Sequence, residues 1–142
     1  MMKKIFFRYT FLISILLLGS FGAKAQCDSI ASICSQNFTK DYLSDGQQYR
    51  ALLIEDQTAE FHLTLYGQST YRFGACSGLN AGNLIFRVYD SERNEIFSNT
   101  DYANAPYWDF KVQSTLDIIV EANLNEDELS SGCAVLLVGF KP

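Results

Sequence analysis

From Tyr49 onward, apolar side chains alternate with polar ones, and this period of two is the feature that most constrains the fold. In the segment AEFHLTLY, Phe61, Leu63 and Leu65 alternate with polar residues, and the pattern returns in TYRFGA, NLIFRVYD and LDIIVEA. Successive side chains of a β-strand point to opposite faces of the sheet, so each segment predicts a strand with one buried face. The last segment, CAVLLVGFK, is apolar on both faces and predicts a central strand that is covered on both sides.

Turn-forming clusters separate these predicted strands at fairly even intervals. They include YGQS, CSGLNAGN, DSERNE, NTDYANAP and NLNEDELSSG. Short strands interrupted in this way are typical of proteins in which two antiparallel sheets pack face to face. We therefore predict an all-β chain: a single jelly-roll-like β-sandwich of about seven to eight antiparallel strands that spans residues 49–142.

Residues 1–25 have the order of a secretory signal peptide: a basic start, an apolar run and a small-residue end. Lys3, Lys4 and Arg8 precede the run YTFLISILLLGSFGA, and AKA precedes Gln26. The run is shorter than the roughly 20 residues with which a helix spans a bilayer. We predict cleavage after Ala25, a secreted or periplasmic protein, and no stable membrane span after cleavage.

Residues 26–48 are predicted to be a cysteine-containing, partly helical N-terminal segment. Apolar residues recur at gaps of three and four within 28–43, which suits one face of a helix. They are Ile30, Ile33, Cys34, Phe38 and Tyr42. The turn signal SDGQQ follows this pattern.

The four cysteines, Cys27, Cys34, Cys76 and Cys133, indicate two disulfides, because their number is even and the domain is exported. A bridge between Cys76 and Cys133 could join two neighbouring strands, and it would leave Cys27 to pair with Cys34. A continuous helix would hold those two Cα atoms about 10 Å apart, too far for a disulfide. We therefore predict these two bridges, together with a helix that is shortened at its start. A free thiol and an intermolecular bridge through Cys27 are the alternatives.

The charge of the exported chain argues against nucleic acid as a partner. Four of the 11 Lys and Arg residues leave with the signal peptide, so the remaining 7, against 16 Asp and Glu, give a formal charge of −9. A polyanion would be repelled by that field.

No motif for catalysis or for metal binding stands out. His62 is the only histidine, there is no G-x-S-x-G motif, and alternation places His62 on the polar face of a strand. The cysteines have no close C-x-x-C pair, and the acidic loop NLNEDELSSG lacks the residue order of a calcium loop. We predict no enzymatic activity, no catalytic residue, no metal site and no cofactor. A hydrolase of unknown type is a second alternative.

The aromatic stretch YWDFKV poses a choice between core and binding surface. Trp108 and Phe110 alternate with charged residues, so we predict that both rings point into the core. Tyr107 then lies on the outer face. Together with Tyr66 and Tyr102, it is a possible ligand-contacting residue, and these exposed tyrosines motivate a glycan-binding module as the first alternative function.

The same strands carry a family resemblance. AEFHLTLYGQSTYRF, NLIFRVYDSERNEIFS, YWDFKVQSTLDIIVEA and CAVLLVGF together resemble the bacterial pre-peptidase C-terminal (PPC-type) domain, a jelly-roll-like sandwich. Tyr66 and Gly67 occupy the place of that family's hairpin, Tyr89 and Asp90 that of its Y-D turn, and residues 118–120 that of its closing strand. The segment DGQQYRALL and the cysteine placement resemble small secreted bacterial proteins with this sandwich.

The resemblance implies a non-catalytic module linked to secretion, surface attachment or substrate contact. Combined with the export signal, it leads to the prediction of a secreted or periplasmic module for protein or surface interaction. Its partner would be an envelope or extracellular protein, or a glycan.

Overall fold

The computed structural model describes residues 22–142. Residues 1–21, which make up most of the predicted signal peptide, lie outside the described part of the chain. The described elements are the helix α1 (Gly22–Ser35), the strands β1 (Leu43–Ile54), β2 (Thr58–Leu65), β3 (Ser69–Cys76), β4 (Leu84–Asp90), β5 (Glu95–Ser98), β6 (Tyr107–Val112), β7 (Leu116–Leu124) and β8 (Ser131–Lys141), and a short 3₁₀ helix (Asn99–Tyr102) between β5 and β6. Within this range, no helix combines the length and the apolar character needed to cross a membrane.

The eight strands form two antiparallel sheets of four strands each. The first sheet has the order β1-β8-β3-β6 and the second the order β2-β7-β4-β5. The two sheets pack face to face around one core, so the predicted all-β sandwich of seven to eight antiparallel strands is confirmed. The two-faced apolar strand β8 lies inside the first sheet between β1 and β3, as its sequence predicts.

The core between the sheets consists of the alternating apolar residues that the sequence pattern picks out. Phe73 of the first sheet and Phe86 and Val120 of the second are completely buried, and Leu63 and Leu136 are buried beside them. Complete burial of an apolar side chain of this size stabilises the fold by about 1.5–3 kcal/mol. The alternating apolar residues therefore both define the strand pattern and, through their burial, stabilise the fold.

The helix α1 packs on the outer face of the first sheet. Its residues Ile30, Ala31 and Cys34 form a small second core with Cys133 and Val135 of β8. This contact explains why β8 is apolar on both faces: one face meets the other sheet and the other meets α1. The N-terminal segment is thus a third layer over part of the sandwich.

The disulfides join α1 to the sheet, and the predicted pairing is wrong. Cys27 is bonded to Cys133, with Cα atoms 5.4 Å apart, and Cys34 is bonded to Cys76, with Cα atoms 5.7 Å apart. The helix is not shortened at its start, so Cys27 and Cys34 lie within it and are separated by two helical turns. Because β8 and β3 are neighbours beneath α1, each helical cysteine meets a different strand.

The helix also ends earlier than predicted. It stops at Ser35 instead of continuing to residue 43, and tight turns follow in which the amides of residues 36–38 bond carbonyls three residues back. Phe38 then lies against Gly74 of β3 and Gly139 of β8, where a Cβ atom on either glycine would come within 3 Å of its ring. Phe38 therefore packs on the sheet, as an apolar residue of the predicted helix would, but it lies outside the helix.

The strand β1 begins at Leu43, within residues 26–48, which are predicted to form the N-terminal segment before the sandwich. Leu43 and Ser44 already pair with β8, and the pairing resumes at Gln48 after an irregularity. The turn signal at residues 44–48 therefore produces a bulge inside β1 and not a connection before it.

Candidate functional site

The two open sides of the sandwich are built differently. On one side the edge strands β5 and β6 meet, and on the other side the edge strands β1 and β2 meet. The β5–β6 side is filled by aromatic rings: Phe97 lies 5.1 Å, between ring centroids, from both Trp108 and Phe110. Trp108 and Phe110 point inward as predicted, although both are half buried.

The β1–β2 side contains a groove, which we call the β1–β2 groove. It has a volume of about 520 Å³, within the usual range of ligand clefts. Its floor is apolar and buried, with Leu63 and Leu65 from β2 and Tyr71 and Val138 from the first sheet. The rim is polar. Asp45 on the rim is half buried, and the other rim residues are exposed: Gln47, His62, Thr64 and Tyr66.

The bulge in β1 places two of the rim residues. Gly46 adopts a φ of +79°, a conformation that glycine reaches without the penalty of a Cβ atom. The side chain of Asp45 accepts a hydrogen bond of 2.8 Å from the Gln47 amide, and that of Ser44 accepts one of 3.1 Å from the Gly46 amide. An aspartate that bonds the backbone two residues on is typical of such tight turns. The bulge thus raises Asp45 and Gln47 beside the groove floor.

Two tyrosines connect the floor of the groove to its rim. The Tyr49 hydroxyl donates a hydrogen bond of 2.8 Å to Gln47 Oε1, and the Tyr49 ring packs on Phe61 at 5.5 Å. The Tyr71 hydroxyl accepts a hydrogen bond of 2.9 Å from the Tyr66 amide. The shape of the rim is therefore held by specific bonds to the core strands.

Asp45 gives the groove its electrostatic character. Burial raises the pKa of the Asp45 carboxyl above its usual value, against the opposing effect of the bond from the Gln47 amide. Burial also raises the pKa of Tyr49, and the nearby charge of Asp45 adds to that rise. Within residues 22–142, the ion pairs of the structure do not include Asp45. The groove therefore offers a partly buried carboxylate to a cationic group.

His62 lies on the exposed face of β2, as predicted. Its Nε2 atom is 2.7 Å from Glu60 Oε1, and Glu60 also pairs with Arg93 at 2.8 Å. Arg93 in turn contacts Glu121 at 3.1 Å, so His62 belongs to a row of surface ion pairs on the second sheet. In the described part of the chain, no cluster of three or more His, Cys, Asp or Glu side chains is placed to hold a metal ion.

The three predicted ligand-contacting tyrosines are exposed, but they lie apart. Tyr66, 65% exposed, is on the rim of the β1–β2 groove just before β3. Tyr107, 40% exposed, pairs with Gly74 near the other end of β3, roughly 20 Å away at about 3.3 Å per residue. Tyr102, 49% exposed, stacks on Phe97 with an interplanar angle of 10° and lies 4.1 Å from Trp108. Only Tyr66 belongs to the groove.

Sequence reasoning missed a cluster on the outer face of the first sheet. The Arg72 guanidinium bonds both carboxylate oxygens of Asp109, at 2.6 and 2.8 Å, and donates to the Asn37 carbonyl at 2.8 Å. It lies between the rings of Tyr42 and Tyr107, 4.5 Å from each centroid. The hydrogen bond from Arg72 holds the pKa of Asp109 below its usual value. This cluster attaches the segment after α1 to the sheet.

The missed residues had partial signals in the sequence. Arg72 and Asp109 each occupy a polar position in an alternating strand, but alternation alone does not say that β3 and β6 are neighbours. Asp45 and Tyr49 stand within the segment SDGQQY, which predicts a turn and not the rim of a groove.

Comparison with known proteins identifies a fold and no family. No family model matches the chain, and no curated protein matches it. Among solved structures, the chain is similar to PliG of Aeromonas hydrophila, which is described as a periplasmic lysozyme inhibitor of g-type lysozyme. The similarity has a TM-score of 0.52 at 14% sequence identity and covers 73% of this chain and 91% of that one. At this identity the likeness shows a shared fold.

The compartment follows in coarse terms. Two disulfides are typical of proteins outside the cytoplasm, and the fold is shared with a periplasmic protein. Both observations fit an extracytoplasmic protein.

Proposed function

We propose that this chain is a secreted or periplasmic, non-catalytic β-sandwich that binds a protein partner through the β1–β2 groove. The observation that carries the proposal is the groove itself: an apolar floor under a polar rim, with Asp45 lacking an ion pair within residues 22–142. Protein interfaces have this arrangement of an apolar centre and a polar margin. The proposal includes cleavage after Ala25, for which the residue order of positions 1–25 is the support, and the kinship with PPC-type jelly rolls, which rests on the sequence resemblance of the alternating segments.

The fold comparison supports a protein as the partner. PliG is a periplasmic inhibitor of g-type lysozyme, and it shares this fold. A fold can host many functions, so the partner class is argued from the groove and the comparison suggests only which partner to test first. That first partner is a g-type lysozyme.

The test uses the full chain, exported by an expression host and recovered in its oxidised form. Binding to a g-type lysozyme is measured by surface plasmon resonance, followed by crosslinking in envelope extracts. The decisive variant is Tyr66→Ala on the groove rim, which removes the side chain without adding a charge. Its matched control is Leu79→Ala, which also truncates an exposed side chain, at a residue that is 78% exposed in the loop between β3 and β4.

We expect Tyr66→Ala to weaken binding to the lysozyme, or to the crosslinked envelope protein, by at least about tenfold, because tyrosine is enriched among the interface residues whose truncation costs about 2 kcal/mol or more. Leu79→Ala should leave binding unchanged. Equal binding by both variants, or the absence of any partner in both assays, would refute the proposal.

The glycan-binding alternative stays a prediction. It calls for several tyrosines on one surface, whereas Tyr66 is distant from Tyr102 and Tyr107. The hydrolase alternative also stays a prediction, and the fold shared with an inhibitor fits a non-enzymatic chain.

A further inference from the structure

We infer that the partner is recognised through an extended, basic segment that adds to the free edge of β1 as a further strand of the first sheet. This inference rests on the proposed function and names how the partner binds. The structural basis is the part of β1 between the bulge and the turn, residues 48–54, which we call the β1 edge. It pairs with β8 in one continuous register and has no strand on its other side among the described residues.

The direction of the backbone groups identifies which of them face outward. In an antiparallel pair, alternate residues bond the neighbouring strand, and those between them point away from it. The Glu55 amide donates to the Ser130 carbonyl of the loop before β8 at 2.7 Å, so Leu53 and Ala51 also bond β8. The amide and carbonyl groups of Arg50 and Leu52 consequently point to the open edge.

Ile54 confirms this alternation and marks where the edge ends. Its amide donates to Gln57 Oε1 at 3.1 Å, and its carbonyl accepts from the Gln57 amide at 3.3 Å. Gln57 therefore occupies the place that an added strand would take beside Ile54. Three residues of the β1 edge, Gln48, Arg50 and Leu52, keep outward backbone groups that such a strand can bond.

Most of the devices that usually protect a free edge are absent from residues 48–54, because the bulge of β1 lies before Gln48. Natural edges carry lysine, proline or a bulge that prevents pairing with another chain. The sequence QYRALLI has none of these at positions 48–54. Its one cation, Arg50, is bonded to Asp28 of α1 and to Gln48. Leu52 and Ile54 are 56% and 52% exposed on the outer face, so an added strand would also cover apolar surface.

Charge decides between a partner segment and a second copy of this chain. The exported chain carries a formal charge of −9, and Asp45 lies partly buried in the groove beside the β1 edge. A second copy would bring the same charges and another Asp45 to the contact. A segment that alternates apolar residues with Lys or Arg can instead cover Leu52 with its apolar side chains and pair Asp45 with a cation.

The probes are two synthetic peptides of nine residues that alternate threonine and valine and differ at one position, which is Lys in one and Glu in the other. Affinity is measured by calorimetry, and hydrogen exchange is measured at each amide of β1. We expect the lysine peptide to slow exchange at Arg50 and Leu52, and to bind about tenfold more tightly than the glutamate peptide, since a charged hydrogen bond contributes about 1.5 kcal/mol. The variant Asp45→Asn should bring the two affinities close together.

A pair of variants separates the backbone from the side chain. Leu52→Pro removes the outward amide without touching the ladder to β8, whereas Leu52→Thr keeps the amide and removes only apolar surface. We expect Leu52→Pro to abolish binding of the lysine peptide and Leu52→Thr to weaken it only a few fold. If Leu52→Pro fails to fold, amide exchange in the wild-type protein remains decisive: unchanged exchange at Arg50 and Leu52 in the presence of saturating peptide overturns the inference.

The outcomes distinguish this inference from the proposed function. If a protein partner binds in a manner sensitive to Tyr66→Ala but indifferent to Leu52→Pro, the groove is used and strand addition is wrong. If neither peptide binds while sedimentation shows a dimer that Leu52→Pro abolishes, the occupant of the edge is a second copy. Equal binding of both peptides refutes the role of Asp45.

Discussion

The two sides of the sandwich differ in how the gap between the sheets is filled. Aromatic rings fill the β5–β6 side, which we call the closed side, whereas the β1–β2 side, which we call the open side, keeps a groove. On the β5–β6 side, Phe97 contacts four rings with centroids 5.1–5.5 Å away, and these aromatic groups close the gap between the sheets. On the β1–β2 side, the ring pair Tyr49 and Phe61 closes only part of the gap, and the β1–β2 groove remains. Large aromatic rings stabilise the closed side, and the open side has fewer such rings, so its groove is left unfilled.

The supporting loops differ in the same sense. The 3₁₀ helix after β5 is held by Asn99, whose buried side chain bonds the Phe86 amide and the Leu84 and Ala105 carbonyls at 3.0–3.1 Å. On the other side, the bulge of β1 is held by short-range bonds at exposed or half-buried residues. The β5–β6 side is thus built as a core, and the β1–β2 side as a surface.

The largest expected effect comes from removing the central ring of the closed side. Phe97→Ala should lower the free energy of unfolding by about 3–5 kcal/mol, the usual loss for a buried phenylalanine, since it leaves a cavity among four rings. Tyr49→Ala should cost less than about 2 kcal/mol, because its ring is half buried beside an existing groove. Denaturant unfolding of both variants measures the difference. Equal losses would mean that the two sides contribute alike.

A smaller but still large effect is expected at Asn99. Asn99→Ala leaves a buried amide and two carbonyls without their partner, and each buried group that loses its bond costs about 1–3 kcal/mol. We expect a loss of at least about 2 kcal/mol, measured by denaturant unfolding. The control, Asn94→Ala in the exposed turn after β4, should stay within about 1 kcal/mol of the wild type. A neutral Asn99→Ala would show that the loop of the closed side is not held by this side chain.

The two sides should also respond to acid in opposite directions. Burial raises the pKa of Asp45 on the open side above the 3.8 expected for the unfolded chain. The stability that protonated Asp45 contributes is therefore complete at pH values below 3.8, and it is lost as the pH rises through the pKa of Asp45 in the folded protein. The bond from Arg72 lowers the pKa of Asp109 on β6, although burial partly opposes it. The stability that ionised Asp109 contributes is therefore present at pH values above 3.8, and it is lost as the pH falls through the pKa of Asp109 in the folded protein.

Two variants check this sign. As pH falls from about 6 to 2, the stability of the wild type should rise relative to Asp45→Asn and fall relative to Asp109→Asn. Unfolding free energies at each pH provide the measurement, and carbon-13 titration of the two carboxyl groups provides an independent one. Curves that move in the same direction would contradict the difference between the sides.

Sequence alternation is sufficient to predict the sandwich, because the period of two directly reports which side chains face the core. It places β8 inside a sheet, Trp108 and Phe110 on an inward face, and His62 on an outward one. It does not report which strands are neighbours. The pairing of Cys27 with Cys133, for example, depends on α1 crossing β8 and β3, and no local pattern encodes that crossing.

The groove is hidden from sequence reasoning for the same reason. It forms between β1 and β2, which belong to different sheets, and alternation does not reveal that both are edge strands. Tyr66 could be predicted as an exposed ring because it stands at a turn. Asp45 could not, because the motif Asp-Gly is read as a turn between elements, whereas here it forms a bulge within one.

The smallest expected effect compares two of the exposed tyrosines. Tyr66→Ser, on the groove rim, should change the free energy of unfolding by no more than about 0.5 kcal/mol, because its side chain projects into solvent and its bond to Tyr71 uses only the backbone. Tyr102→Ser should cost about 1 kcal/mol or more, since it removes a ring that stacks on Phe97 and also contacts Trp108. The decisive result is the order of the two losses in denaturant unfolding. A greater loss for Tyr66→Ser would mean that the open side depends on that ring for stability, and Tyr66 would then be a structural residue and not one kept for binding.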